Sequence, residues 1–549
     1  MVDERDLPVP PGQTPNEPIV LGIDLGTSNT CVAYVKGGIA RVVSVDKGAL
    51  TLPSVVAVNE QGELLVGSAA KDQMIVNPRN TIYGAKRLIG RKFNSKFVRD
   101  IKQYFPYEIV EGGYGDAAVL LPDRMHALPE IASYILQQCK RMAEAALGQE
   151  INDAVISVPA YYNDHQRQAV KDAAGLAGLS VVRIVNEPTA AALAYGLNRG
   201  FDHNVLVYDL GGGTFDLSML HLNGNVMEVL ATGGDTFLGG VDFDHRIIDY
   251  VLEEFRAETK IDLTQNPNAM QRITRAAEAA KIDLSLLTNC VIELPFITDR
   301  KGKPVDLRVQ LSRERMNELV GELVDRTFEI VDQVLADKKL TRGDIQEILL
   351  VGGQTRMPLV QEKAEAFLGK PPRKGVHPDE SVAIGAALLA DSLKRIDSVT
   401  LVDVLSMPIG FAVAGGRFRK VIDKNTPIPV QRAFRLPAAK TEQPLEIDVF
   451  QGESEQILEN EYLGTLIFPI EAMGERVCFN LNEECMLRVT IEGTGATPEE
   501  LTLATRDTPE SLRLAWQEEN ERRLFEAEQQ QSAPPGGFIA AIRKAFSRS

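Results

Sequence analysis

From Ile19 to about Arg395, short apolar runs alternate with longer stretches whose apolar residues recur every three or four positions. The short runs predict strands: IVLGIDLG (19–26), ARVVSV (40–45), SVVAVN (54–59), DAVISVPA (153–160), VVRIVNEP (181–188), NVLVYDLG (204–211), LSMLHL (217–222), MEVLATGG (227–234) and EILLVGG (347–353). The helically spaced stretches predict helices over 128–147, 164–178, 242–258 and 313–337. Hairpins come first, then strand–helix alternation, and the sequence of events occurs twice. That is the grammar of an α/β protein with two similar lobes and a cleft. Beyond residue 396 the pattern changes. A short mixed segment, 397–403, reads as a linker. Residues 404–508 carry short alternating strands and turns, which predict an antiparallel β-sandwich. Residues 509–531 are rich in Glu, Gln and Arg and predict one short helix. Residues 532–549 read as a flexible, basic amphipathic terminus, and residues 1–18 as a disordered arm.

Two turns repeat each other. Ile23-Asp24-Leu25-Gly26-Thr27-Ser28-Asn29-Thr30 and Tyr208-Asp209-Leu210-Gly211-Gly212-Gly213-Thr214-Phe215-Asp216 each link two apolar runs. Both predict β-hairpins and together an internal duplication. The glycines let backbone N–H groups approach phosphate oxygens, and Thr27, Ser28 and Thr214 add hydroxyl donors. Asp24 and Asp209 suit Mg²⁺ held directly or through its water shell. Two facing copies would clamp a nucleotide triphosphate.

Composition narrows the class. The chain has 549 residues, 44% of them hydrophobic, and a net charge of −17. So acidic a protein is a poor candidate for general nucleic-acid binding, which needs a basic surface. The five cysteines are scattered and form no Cys-x-x-Cys, so neither a disulfide framework nor a zinc site is expected. The Pro-rich, acidic start does not resemble a secretory signal, and no apolar run is long enough to span a membrane. The expectation is a cytoplasmic protein.

Other stretches suit the same cleft. Asn163 or Asp164 would cap the helix that follows VPAYY. Glu187 ends a strand, where a carboxylate could meet Mg²⁺ or an attacking water; the small residues after it permit close helix packing. LVGGQTRMP (350–358) suits contact with a ribose or base, with Arg356 stacking on the ring.

In order along the chain, IDLGTSNT, AKRLIGRKF (85–93), VPAYYNDHQRQA, NEPTAAALAYG, DLGGGTFD, GGDTFLGGVDFD (233–244), VGGQTRMP and HPDESVAIGAA closely resemble the DnaK-type (70-kDa heat-shock) chaperones. The resemblance is nearly continuous to Ala390 and looser to about Gly493. It implies an actin-like two-lobed ATPase domain (19–396), the linker, and a β-sandwich (404–508) that grips extended peptide. It implies that ATP or ADP with Mg²⁺, and K⁺ as a candidate companion ion, occupy the cleft. Gly26, Thr27, Ser28, Asn29 and Gly211 to Thr214 would hold the phosphates. Asp24 and Asp209 would face the Mg²⁺ water shell, Asp216 the attacking water and Lys86 the γ-phosphate. Glu187 would couple hydrolysis to Pro159 and Arg167. Glu278, Lys281 and Ser285 would frame adenosine, with Gly239, Gly240, Gly352, Gly353, Arg356 and Asp379 completing the site. Without the family pattern, Lys86 would read as a surface lysine and Glu278 with Lys281 as a helix pair. In the β-domain, Phe411, Leu436, Leu445 and Ile447 would line a pocket for an apolar side chain, although each also suits a sandwich core.

The chain departs from the family pattern at several places. Ala414 stands where the family has an arch methionine, and Pro437 follows the pocket. Thr400 replaces an aliphatic linker residue, and Val241 a glutamate. Glu483-Glu484-Cys485 lacks the usual Asp-Gly, and the multi-helix lid is absent or reduced to 509–531. The resulting expectation is an ATP-dependent chaperone for unfolded or extended polypeptide, linked to protein folding and the stress response. Its expected partners are a J-domain co-chaperone, at Tyr161, Asn163, Asp164 and Arg183, and a nucleotide-exchange factor. The alternative is an exchange or scaffold role on one fixed partner; a sugar kinase or filament former fits the ordered motifs poorly. Residues 538–549 would touch an anionic membrane or a partner groove, or fray.

Overall fold

The computed structural model describes residues 18–501 apart from 46–47, 197–201, 374–376, 395–398, 414–415, 437, 439–444, 469 and 493–498. The expected N-terminal arm (save Pro18), the helix over 509–531, the basic terminus, Ala414 and Pro437 lie outside the described residues. The chain packs as two compact units. The first runs to Ser406 and includes Lys424–Val430 and Leu481–Leu487. The second comprises Met407–Asp423, Gln431–Asn480 and the described residues from Arg488 on.

Two six-stranded sheets form the frame of the first unit. In one, the order is Ser180–Asn186, Asp153–Val158, Val20–Leu25, Asn29–Lys36, Ile39–Val42, with Leu52–Pro53 also paired to Asn29–Lys36. In the other it is Glu347–Val351, Asp202–Leu210, Phe215–Asn223, Val226–Asp235, Thr400–Val404, Pro427–Ile428. The duplication read from the sequence is visible in the pairing. Val20–Leu25 and Asp202–Leu210 each open an antiparallel hairpin and each pair in parallel with a later strand. The two turns close in the same register, Leu25 opposite Thr30 and Leu210 opposite Phe215. One step back the copies diverge: Asp24 faces Cys31, whereas Asp209 faces Asp216.

Each sheet has its own apolar core, one built around Ile23, Leu88, Leu136 and Ile156, the other around Leu206, Phe215, Phe243 and Val324. A third cluster joins the sheets through two small-residue helices, Glu187–Gly196 and Ser381–Ser392. Their backbones nearly touch: a Cβ on Gly385 would lie 1.7 Å from the Ala190 carbonyl oxygen. The alanines and glycine that the sequence places there are what permit this approach. Asn163 caps the helix Asp164–Leu176 in a capping box with Gln166.

Thr400–Val404, read from the sequence as the end of a linker, pairs in parallel with the start of Val226–Asp235. On its other side it pairs antiparallel with Pro427–Ile428, so it lies inside the sheet. The second unit contains two four-stranded sheets. Its buried residues include Val449, Phe450, Leu466, Phe468, Val477 and Phe479.

Candidate nucleotide site

The two glycine turns meet. A Cβ on Gly212 would lie 2.4 Å from Ser28 Oγ, and one on Gly213 would lie 2.9 Å from Thr27 Oγ1. The first turn is held from behind by Ser54, whose hydroxyl donates to the Gly26 carbonyl at 2.8 Å and whose N–H donates to the Ser28 carbonyl at 2.9 Å. The second is backed by Gly239 and Gly240. The Gly240 N–H donates to Gly211 O at 2.9 Å, and a Cβ on Gly239 would sit 2.5 Å from Gly213 N. Side chains at these positions would spoil the cradle.

Behind the turns lies a concentration of charge. Asp24, Asp209, Asp216, Glu187 and Lys86 are buried or nearly so. Lys86 Nζ donates to Glu187 Oε1 at 2.5 Å, and the Lys86 carbonyl accepts from Tyr162 Oη at 2.7 Å. Ser157 Oγ donates to Asp24 Oδ1 at 3.2 Å, and Ala160 N–H to Asp216 Oδ1 at 2.9 Å. Burial, followed by the Glu187 charge, pushes both Asp24 and Asp216 up to about 7. Asp209 is raised well above the carboxylate range by burial and then by Glu187, Asp216 and Asp24. Burial opposes the Lys86 charge, but Glu187, Tyr162 and Asp24 overcome it and hold the ammonium above its ordinary value.

Four carboxylates around one ammonium are short of positive charge. Among the described residues no three carboxylates, imidazoles or thiols converge tightly enough to cage an ion. That donor set fits Mg²⁺, which keeps several waters and shares its remaining ligands with phosphates.

A cleft of about 650 Å³ opens beside the first turn, lined in part by Thr27, Ser28, Arg87, Tyr104, His245 and Glu278. Glu278 faces Lys71 across it at 3.7 Å. Lys281 is engaged with Asp244 at 2.8 Å and the Gly240 carbonyl at 2.9 Å, and Ser285 Oγ donates to the Lys281 carbonyl at 3.3 Å. Burial raises Asp244 to about 6 against the pull of Lys281. Gly352 has φ of 81°, a left-handed conformation, and a Cβ there would lie 2.6 Å from Asp209 Oδ1. Gly353 adjoins Asp379, which pairs with Arg356 at 2.5 Å. The second loop set thus reaches the same end of the sheet as the phosphate turns.

Three residues the sequence reading passed over belong to this region. Arg87 lies against Gly213, and its Nη2 donates to both Asp242 carboxylate oxygens at 3.1 Å. Asn186 and Asp403 extend a polar chain from the cleft. Arg167 donates to the Ala160 carbonyl at 3.2 Å and to Asn186 Oδ1 at 2.8 Å; Asn186 in turn donates to Asp403 Oδ2 at 3.0 Å. Thr189 donates to the same oxygen at 3.2 Å, and Ser406 Oγ reaches the Ala160 carbonyl at 2.6 Å. Burial raises Asp403 above its usual range. The signal available in sequence was an acid inside the apolar run Leu401 to Leu405.

The profile of a family described as Hsp70 protein matches residues 20–514. The chain belongs to the Hsp70 family. Hsp70 proteins are chaperones and ATPases that bind nucleotide with Mg²⁺ and act on unfolded polypeptide with co-chaperones. Two departures from the Hsp70 pattern acquire partners here. Glu484, in the turn that lacks Asp-Gly, pairs with Lys171 and accepts from Ile184 N–H at 2.8 Å; Glu483 pairs with Arg183 at 2.9 Å. Among the expected peptide-pocket residues, Phe411, Leu445 and Ile447 are half-buried, while Leu436 is 3% exposed. Among the described residues no helix is long and apolar enough to cross a membrane.

Proposed function

We propose that this Hsp70 protein hydrolyses ATP in the cleft between its paired glycine turns and uses the cycle to bind and release extended polypeptide in its β-sandwich. The observation that carries the reading is the buried set Asp24, Asp209, Asp216, Glu187 and Lys86 beneath two facing phosphate cradles. Hydrolysis in such a cleft is in-line: water oxygen bonds to the γ-phosphorus as the bond to the β–γ bridging oxygen breaks, and the water's proton passes to a carboxylate or to solvent. Asp216, held by the Ala160 N–H, is aimed to orient the water. Lys86, released from Glu187 towards the γ-phosphate, would stabilise charge that develops there. Mg²⁺ bound with the nucleotide would neutralise phosphate charge in front of Asp24 and Asp209. Glu278, Lys281 and Ser285 would hold adenosine on one side, Gly353, Arg356 and Asp379 on the other.

The Arg167–Asn186–Asp403 chain supports coupling. It runs from beside Glu187 and Pro159 to the strand Thr400–Val404, so a change at Glu187 is felt at the start of the β-domain. In the sandwich, Phe411, Leu445 and Ile447 would grip one apolar side chain, with main-chain bonds holding the peptide. A J-domain co-chaperone and a nucleotide-exchange factor are the partners this cycle calls for.

A second reading keeps the nucleotide cycle but gives the protein one fixed partner, as an exchange factor or scaffold. The burial of Leu436 favours it, since a closed pocket position narrows the range of clients. ATP turnover measured with and without an unfolded apolar peptide separates the two. Stimulation is expected from a chaperone for general clients. Unchanged turnover would sink the client-binding reading and leave the second.

A further inference from the structure

The two lobes of the first unit have separate apolar cores, so they can move as bodies about the cleft; what spans its mouth then sets how easily it opens. Four side chains from Arg87 to Tyr104, on the first lobe, meet one segment of the second, Thr236 to His245. The Tyr104 ring stacks on the His245 imidazole with centroids 4.4 Å apart and planes at 26°. Phe97 lies 4.2 Å from Phe237, and the Arg91 guanidinium sits over both rings, at 4.3 and 5.4 Å. Arg87 holds Asp242. Tyr104 and His245 both line the cleft. The segment they grip is the one whose Gly239 presses on Gly213 of the phosphate turn.

We propose that Tyr104, His245, Phe97, Phe237 and Arg91 form an aromatic latch across the cleft mouth that slows nucleotide release. Water exposure alone would not stack a phenol ring on an imidazole and set two phenyl rings against each other across a cleft. Tyr104 remains 53% and Phe237 41% exposed, so neither ring is there to complete a core. None of the five belongs to the glycine turns or to the buried carboxylate–lysine set, so the latch acts on dwell time and not on the chemical step. Stacked and cation–π contacts of this kind are lost only when the lobes separate, so they slow dissociation more than association.

The proposal rests on the nucleotide reading above. The test is stopped-flow release of N-methylanthraniloyl-ADP, chased with unlabelled ADP, from the full chain and its variants. Tyr104→Ala or His245→Ala should each release roughly three- to tenfold faster, with the double variant little faster than either single one because they share one contact. Phe237→Ala should accelerate release independently, so that it multiplies the effect of Tyr104→Ala. Tyr104→Phe keeps the ring and the wild-type rate. Single-turnover hydrolysis of bound ATP should not change in Phe237→Ala, whose ring does not line the cleft. Wild-type release rates in Tyr104→Ala, His245→Ala and Phe237→Ala, with the label bound normally, would overturn the latch and leave the nucleotide site standing. Failure of the wild-type chain to bind the label would remove both together.

Discussion

Lys86 and Glu187 form a buried ion pair at 2.5 Å, 101 residues apart in sequence, with Tyr162 fixing the lysine's backbone. The pair links the loop before the first lobe's cleft wall to the small-residue helix that joins the lobes. With ATP bound as proposed, its γ-phosphate would have to outcompete Glu187 for the ammonium. Glu187→Ala should leave ATP binding intact, reduce hydrolysis by roughly 10²-fold and abolish any effect of peptide on turnover. Single-turnover assays with and without peptide check this; peptide stimulation retained in the variant would separate Glu187 from coupling.

Lys86→Ala removes the ammonium that pairs with Glu187 within the carboxylate set. Hydrolysis in a single turnover should fall by about 10²- to 10³-fold while ATP still binds. Undiminished hydrolysis would take Lys86 out of the mechanism.

The raised carboxylates carry a pH signature. Asp24 and Asp216 titrate near 7 in the folded protein and near 3.9 when unfolded, so between those values the folded state binds more protons. Stability from these groups is therefore present at low pH and is lost as pH rises towards 7. His245, lowered to about 4 by burial, Arg87 and Lys281, acts in the opposite sense, but only between about pH 4 and 6.5. Above that window the carboxylate trend stands alone. The melting temperature of the nucleotide-free protein should fall between about pH 6.5 and 8 and fall less in Asp24→Asn. A steeper fall in Asp24→Asn would contradict the charge assignment.

Gly212 is the point where the two phosphate turns touch. Gly212→Ala would bring a methyl against Ser28 Oγ, and nucleotide affinity should fall at least about tenfold with little change in melting temperature. Gly385→Ala should do the reverse. Its methyl would enter the Ala190 backbone, at a cost of about 3 kcal/mol, and lower the melting temperature by several degrees. Calorimetry and nucleotide titration on both variants distinguish these roles.

Much of the site was legible because its demands are local. A phosphate cradle needs glycine and hydroxyl residues in one turn, and the Asp-Leu-Gly repeats announce it twice. The helices were legible from period, and the Asn163 cap from residue type. The Lys86–Glu187 pair was not, since a lysine in a loop looks solvated until the fold brings Glu187 to it. Asp403 was hidden for a similar reason. An acid in a short strand ordinarily faces water, and only the pairing of Thr400–Val404 between Val226–Asp235 and Pro427–Ile428 delivers it to Asn186 and Thr189. Arg87 was obscured by the basic run around it. Leu436 shows the opposite limit: alternation could not say whether its apolar side chain lines a pocket or fills a core, and a side chain 3% exposed suits either.

The claim that joins these parts is that nucleotide chemistry controls grip on polypeptide. The most direct measurement is release of a fluorescent extended apolar peptide from the full chain, preloaded with ADP and then mixed with ATP or with more ADP. ATP should accelerate release at least about tenfold, and Lys86→Ala, which binds ATP, should keep that acceleration. Equal release rates in ATP and ADP, with both nucleotides bound, would contradict the account.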